Sequence, residues 1–129
     1  MNNAGRYDVA IAGGGLAGLA AAILLAQQGR SVILFEKEGY PFHKVCGEYI
    51  SLEAYELLQS LGFEPAEKQV PIIKRLFLSS PSGKHITHPL PLGGFGLSRY
   101  SLDHELSKIS QSTGVHLLQE TRVDEIERH

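Results

Sequence analysis

The sequence predicts an α/β fold in which a parallel sheet grows around one βαβ unit and carries an inserted antiparallel ribbon. Three observations lead there. The apolar run Val9 to Ala12 is followed at once by three glycines, Gly13 to Gly15, and then by the uncharged stretch Leu16 to Ala26. Val32 to Phe35 is apolar at every position, as a parallel strand covered on both faces requires. Ile72 to Ser79 and Lys84 to Leu90 are two further strand-like runs, joined by a Pro81-Ser82-Gly83 turn that suits an antiparallel ribbon.

In the first unit, Gly13, Gly15 and Gly18 fill the pattern G-x-G-x-x-G directly after a strand. Gly13 permits a tight turn, Gly15 lets the backbone approach a pyrophosphate, and Gly18 lets the following helix pack closely on the sheet. Phosphates would then rest on the unpaired N–H groups and the positive dipole end of that helix. Ala22 shares the helical face of Gly18, and Gly29 is placed to end the helix as its C′ residue. Glu36 closes the second strand, where a carboxylate accepts hydrogen bonds from adenosine ribose hydroxyls and repels a 2′-phosphate. The pattern is that of a Rossmann-type dinucleotide-binding unit. An unliganded α/β crossover is the alternative for the same residues.

Residues 9–26 carry no charge and have the length of a membrane span or a signal-peptide core. Three glycines interrupt them and Asp8 precedes them, so a buried strand and helix are expected and no transmembrane segment. The chain has 129 residues and a formal charge of −2, which suits one modest domain and excludes a nucleic-acid binder by charge. Its single cysteine, Cys46, excludes an internal disulfide framework and fits a reducing, cytoplasmic compartment. His85 and His88, three apart in a strand, fall on opposite faces with no cysteine or carboxylate beside them, so no metal site is expected.

Lys37 to Ile50 reads as irregular, punctuated by Gly39, Pro41 and Gly47. A helix is expected next, with Ser51 as N-cap, an apolar stripe of Leu52, Tyr55, Leu58 and Leu61, and Gly62 as its stop. After the ribbon, Phe95 to Arg99 is expected as a short separate strand. Ser101 would cap a helix with Leu102, Leu106 and Ile109 on one face, ended by Gly114. Val115 to Gln119 is the expected third parallel strand, and Thr121 to Arg128 the start of another.

Three separated segments carry a family resemblance: the fingerprint from Gly13 to Glu36, KVCGEYIS from Lys44 to Ser51, and SRYSLD from Ser98 to Asp103. Their order and spacing resemble the amino-terminal part of FAD-dependent oxidoreductases, in the superfamily containing para-hydroxybenzoate hydroxylase and its geranylgeranyl reductase-like branch. The resemblance implies FAD as cofactor, NAD(P)H as reductant and an apolar or aromatic small-molecule substrate, either reduced or, by a monooxygenase, hydroxylated. It implies that Cys46, Gly47 and Tyr49 run alongside the flavin, largely through backbone contacts. It also implies that Ala17 lies over the pyrophosphate, Arg99 near the phosphates and ribityl chain, and Val123 at the adenine through its backbone. Arg99 is otherwise a surface charge flanking a helix. Cys46 is either a redox-tuning thiol or a small residue at a tight contact.

Members of that family continue through a glycine–aspartate flavin motif that is not present here. Residues 1–129 are therefore expected to be the amino-terminal part of a FAD/NAD(P)-binding Rossmann-like domain, with 63–98 contributing to the substrate-side sheet and a carboxy-terminal segment missing. No catalytic residue is assigned, and turnover by this chain alone is not expected. A noncatalytic NAD- or FAD-binding module and a nonfunctional fragment are the rival readings.

Overall fold

Val9–Ala12 forms β1, the glycines behind it turn the chain into α1 (Leu16–Gln27), and the chain returns as β2 (Val32–Phe35). There follow β3 (Tyr49–Ser51), a 3-10 turn at Leu52–Ala54, α2 (Tyr55–Ser60), a second 3-10 turn at Pro65–Lys68, β4 (Ile72–Ser79), β5 (His85–Gly96), α3 (Arg99–Ser112) and β6 (His116–Leu118). This computed structural model describes residues 5–127. The chain forms two units: the segment through Lys44 together with the segment from Arg99 onward, and the intervening Val45–Ser98. Among the described residues no helix is long and apolar enough to cross a membrane.

The first unit is built on a parallel sheet of order β1-β2-β6. Ile11, Leu34 and Leu117 are in register on one face, and Ile11 lies beneath Gly18 of α1. Helices α1 and α3 pack against each other and on this sheet, burying Leu19, Ala22 and Ile23 from α1 and Leu102 and Leu106 from α3. Each fully buried Leu or Ile contributes about 1.5–3 kcal/mol through removal from water. Gly29 ends α1 as expected: it adopts φ +81°, and the Gly29 and Arg30 N–H groups donate to Ala26 and Leu25.

Two expectations fail in this unit. Helix α3 starts at Arg99 rather than at a Ser101 cap, because the Arg99 guanidinium grips Asp103 one turn on and holds the earlier turn in helical form. Residues 121–127 form no strand, and Arg128 lies outside the described residues. The chain turns at Glu120 (φ +53°) and the Thr121 N–H donates to the Glu36 carbonyl at 2.9 Å, which carries the segment across the end of β2 instead of beside β6.

The second unit is an antiparallel sheet of order β3-β5-β4. The two strands expected at Lys84 to Leu90 and Phe95 to Arg99 are one twelve-residue strand, β5. The strand stays continuous through an irregularity between Ile73 and Arg75 of β4, with Gly93 of β5 at φ +79°. The segment around Phe95 thereby becomes the centre of the sheet, paired with β3 on one side and Ile72 on the other. Within the region expected to be irregular, Tyr49–Ser51 adds β3. The Ser51 hydroxyl does accept from the Glu53 N–H as a cap, but the first turn is 3-10 and α2 is only six residues long. Leu58, Leu61, Phe63 and Phe95 are buried, with Tyr55 edge-on to Phe95 at 6.3 Å.

Candidate functional site

Three glycines of the turn in the first unit, Gly13, Gly14 and Gly18, each have a separate mechanical reason. The Gly13 N–H donates to the Phe35 carbonyl at 2.8 Å, extending the β1–β2 pairing by one step, and its φ of +105° begins the turn. Gly14 is buried. Its N–H donates to Glu36 Oε2 at 2.7 Å, and its carbonyl accepts from the Tyr40 hydroxyl. A Cβ at Gly14 would strike that hydroxyl and the Glu36 side chain, and one at Gly18 would strike the Gly13 carbonyl. Gly15 caps α1 without any side-chain hydrogen bond, and no acidic residue stands in the first turn. The first N–H groups of the helix and its positive dipole end are thus available to an anion.

Glu36 is 4% exposed. Besides the Gly14 N–H it accepts from the Glu38 N–H through Oε1 at 3.0 Å. Its own N–H donates to Leu118 and its carbonyl accepts from Thr121, so the strand end that bears it is fixed on both sides. A carboxylate offers about four acceptor positions, which leaves capacity for hydroxyl donors from a ligand.

Two cations stand at the same helix start. Arg99 binds Asp103 bidentately at 2.8 and 2.9 Å, and Lys44 Nζ lies 3.5 Å from the same buried carboxylate. Lys44 also sits over the Phe42 ring, 4.7 Å from its centroid. The position a Cβ on Gly15 would take is 3.6 Å from Lys44 Nζ and 3.9 Å from Arg99 Nη2. Asp103 offsets one positive charge and holds both cations in place, while the backbone dipole adds to the remainder. Burial, and then the charges of Glu36 and Asp103, push the Tyr40 phenol well above its ordinary range against the opposing effect of Arg99, so its hydroxyl keeps its proton.

A cleft of about 470 Å³ opens beside this arrangement, lined by Gly13, Gly15, Glu36, Phe42, Lys44 and Val123 among others. That volume is in the range of small-molecule sites. The structure therefore brings Gly13, Gly15, Glu36 and Val123 together, and Arg99 joins Lys44 at its edge through Asp103. Ala17 is exposed on the first turn of α1. Cys46, Gly47 and Tyr49 belong to the second unit. There the Cys46 thiol is exposed and accepts from the Glu48 N–H at 3.3 Å, and the Tyr49 ring lies over Gly94. Nothing stands within 4 Å of where a Gly47 Cβ would be, so no protein atom demands glycine there.

Sequence reasoning assigned no role to Gly14, Tyr40 or Asp103, and named Lys44 only as the first residue of the KVCGEYIS segment. Asp103 had a usable signal, since it stands four residues after Arg99 in a helix. Tyr40 had none.

Residues 6–124 match the family model described as FAD binding domain. The chain is 30% identical over 115 residues to the menaquinone reductase of Mycobacterium tuberculosis, a match spanning 86% of this chain and 28% of that protein. A myxobacterial chondrochloren halogenase superposes with a TM-score of 0.80 at 21% identity, over 95% of this chain and 30% of its own. A geranylgeranyl bacteriochlorophyll reductase-like protein from Thermoplasma acidophilum does so with a TM-score of 0.77 at 23% identity, over 95% and 32%. Both solved structures share the fold. The chain spans less than a third of the length of each of these three proteins.

Proposed function

This chain belongs to the FAD-binding domain family, and from that premise we propose that it is the FAD-binding portion of a flavoprotein oxidoreductase acting on an apolar small molecule, with NAD(P)H as reductant. The observation that carries the reading is the convergence of Lys44, Arg99 and the start of α1 on the space beside Gly15, with the Glu36 carboxylate at the adjoining strand end. A pyrophosphate needs the first group and a ribose diol the second.

In this reading Gly13, Gly15, Ala17 and Gly18 form the backbone cradle for the pyrophosphate. Arg99 and Lys44 balance its charge, Glu36 accepts from the adenosine ribose, and Val123 flanks the adenine. Cys46, Gly47 and Tyr49 are assigned to the flavin side through their backbone, and residues 63–98 to the substrate-side sheet. Flavin bound there supplies the redox chemistry, and the protein supplies orientation and electrostatics. The name of the mycobacterial relative, a menaquinone reductase, favours reduction of an apolar quinone-like or isoprenoid substrate over hydroxylation. Activity is assigned to a protein of the relatives' length, in a cytoplasmic setting, and no residue of this chain is assigned a proton-transfer role.

Calorimetry of FAD, NAD and NADP on the full chain, with Glu36→Ala alongside, tests the assignment. FAD is expected to bind more tightly than NADP, whose 2′-phosphate would face Glu36, and Glu36→Ala to weaken FAD about tenfold. NADP binding as tight as FAD binding, or no effect of Glu36→Ala, refutes it.

A further inference from the structure

Gly14 is held from two directions. Glu36 takes its N–H and Tyr40 donates to its carbonyl, while glycines on either side leave the turn with no side chain of its own to fix it. Tyr40 is itself anchored: its N–H donates to Gln119 Oε1 at 2.8 Å, and its ring lies against Phe42, 5.4 Å between centroids, the same ring that carries Lys44. In a trans peptide the C=O of one residue and the N–H of the next point in opposite directions within one plane. A hydroxyl that pins the Gly14 carbonyl therefore also sets where the Gly15 N–H points. Peptides between two glycines flip readily, because neither residue has a Cβ to resist it.

Resting on the reading of this cleft as the FAD site, we propose that Tyr40 is a positioning residue for the cofactor's phosphates. By holding the Gly14 carbonyl, its hydroxyl keeps the Gly14–Gly15 peptide in the one orientation that presents the Gly15 N–H away from Tyr40 as an anion donor. Glu36 fixes the preceding peptide from the other side. The two residues thus preorganise the turn before any ligand arrives, which lowers the ordering cost of binding. Since the phenol keeps its proton, the clamp does not loosen near neutral pH.

The test is Tyr40→Phe in the full chain freed of flavin, which removes the hydroxyl and keeps the ring. FAD and ADP affinities are expected to fall together by about threefold to tenfold, as loss of one neutral hydrogen bond implies. Affinity for adenosine, which lacks phosphates, stays unchanged, while the flavin-free protein melts slightly earlier, since the same hydrogen bond also contributes to folding. In 15N spectra the Gly15 amide signal broadens or shifts while signals from the middle of α1 stay in place. If the unsubstituted protein binds neither FAD nor ADP, the FAD reading fails and this inference with it. If it binds both and Tyr40→Phe matches it, the inference alone fails. A variant that melts early and loses ADP and adenosine in equal proportion assigns Tyr40 a purely structural role and also overturns the proposal.

Discussion

The parallel-sheet unit and the antiparallel unit spend their apolar residues in opposite ways. In the first, Val32 and Leu34 of β2 and Leu19 and Ile23 of α1 are at most 1% exposed. In the second, burial is concentrated at Leu58, Leu61, Phe63 and Phe95, and all of β4 except Ile73 is exposed. Phe77, Leu78 and Ile86 are about 60% exposed. A βαβ unit covers one face of its own sheet because the crossover helix is part of the unit, whereas a two-stranded ribbon has nothing of its own to lay across it. The first unit therefore buries its apolar side chains under its own helices, and the second leaves most of β4 exposed.

The comparison breaks most visibly at Phe95. Phe95→Ala is expected to cost about 3–5 kcal/mol, as truncation of a fully buried aromatic does, while Phe77→Ala near the ribbon tip stays within about 0.5 kcal/mol. Urea unfolding measures both, and equal costs would remove the distinction between the two positions.

A smaller effect is expected in the first unit, where Arg99→Ala removes a cation from beside Gly15 and takes from Asp103 its bidentate partner. FAD affinity should fall by about 1.5–3 kcal/mol, roughly tenfold to a hundredfold. Arg99→Lys should recover only part, since an ammonium lacks the planar fork that grips Asp103. Fluorescence titration of FAD decides this. Full affinity in Arg99→Ala would make the Arg99–Asp103 pair a helix brace and nothing more.

The smallest effect is a pH dependence confined to the second unit. The Tyr55 hydroxyl donates to Glu64 at 2.7 Å; this bond lowers the Glu64 carboxyl from 4.5, and the same bond raises the Tyr55 phenol from 10.0. A lowered carboxyl contributes stability above its unfolded value that disappears as pH falls through the folded one, and a raised phenol contributes stability below its unfolded value that disappears as pH rises through the folded one. The stability difference between the wild type and Tyr55→Phe should thus be flat between about pH 5 and 9 and shrink below and above. A difference independent of pH from 3 to 11 would show that the bond contributes nothing to either titration.

Sequence reading succeeded where local chemistry determines local structure. The run Val9 to Glu36 carries its own turn residues, periodicity and termination, so β1, α1, β2 and the position of Glu36 were all legible. The ribbon was legible from its turn, and Gly114 as the end of α3 from its chemistry. What escaped depends on partners distant in the chain. Three residues cannot display a strand period, and Tyr49–Ser51 is a strand only because Gly94–Gly96 lies beside it. The segment after Glu120 is of mixed polarity and pairs with no strand among the described residues. In the site, glycines and Glu36 announced themselves by pattern, whereas Tyr40 became part of the turn through a loop whose course no local rule dictates.

The parallel sheet also sets the order in which this chain can fold. Strand β6 pairs with β2, Phe35 opposite Leu118, although all of Val45–Ser98 lies between them in sequence. Closing so long a loop costs entropy before any contact of β6 offsets it. The β4–β5 hairpin, by contrast, closes through the few residues around Gly83 and can form first. As it forms it shortens the flexible length between β2 and β6. On a ribosome, β1, α1 and β2 would wait as an unfinished sheet, with α1 lacking α3 and β2 lacking β6, until synthesis reaches Leu106 and Leu118. Slow elongation or a pause before Arg99 should then raise the fraction of chains captured by chaperones.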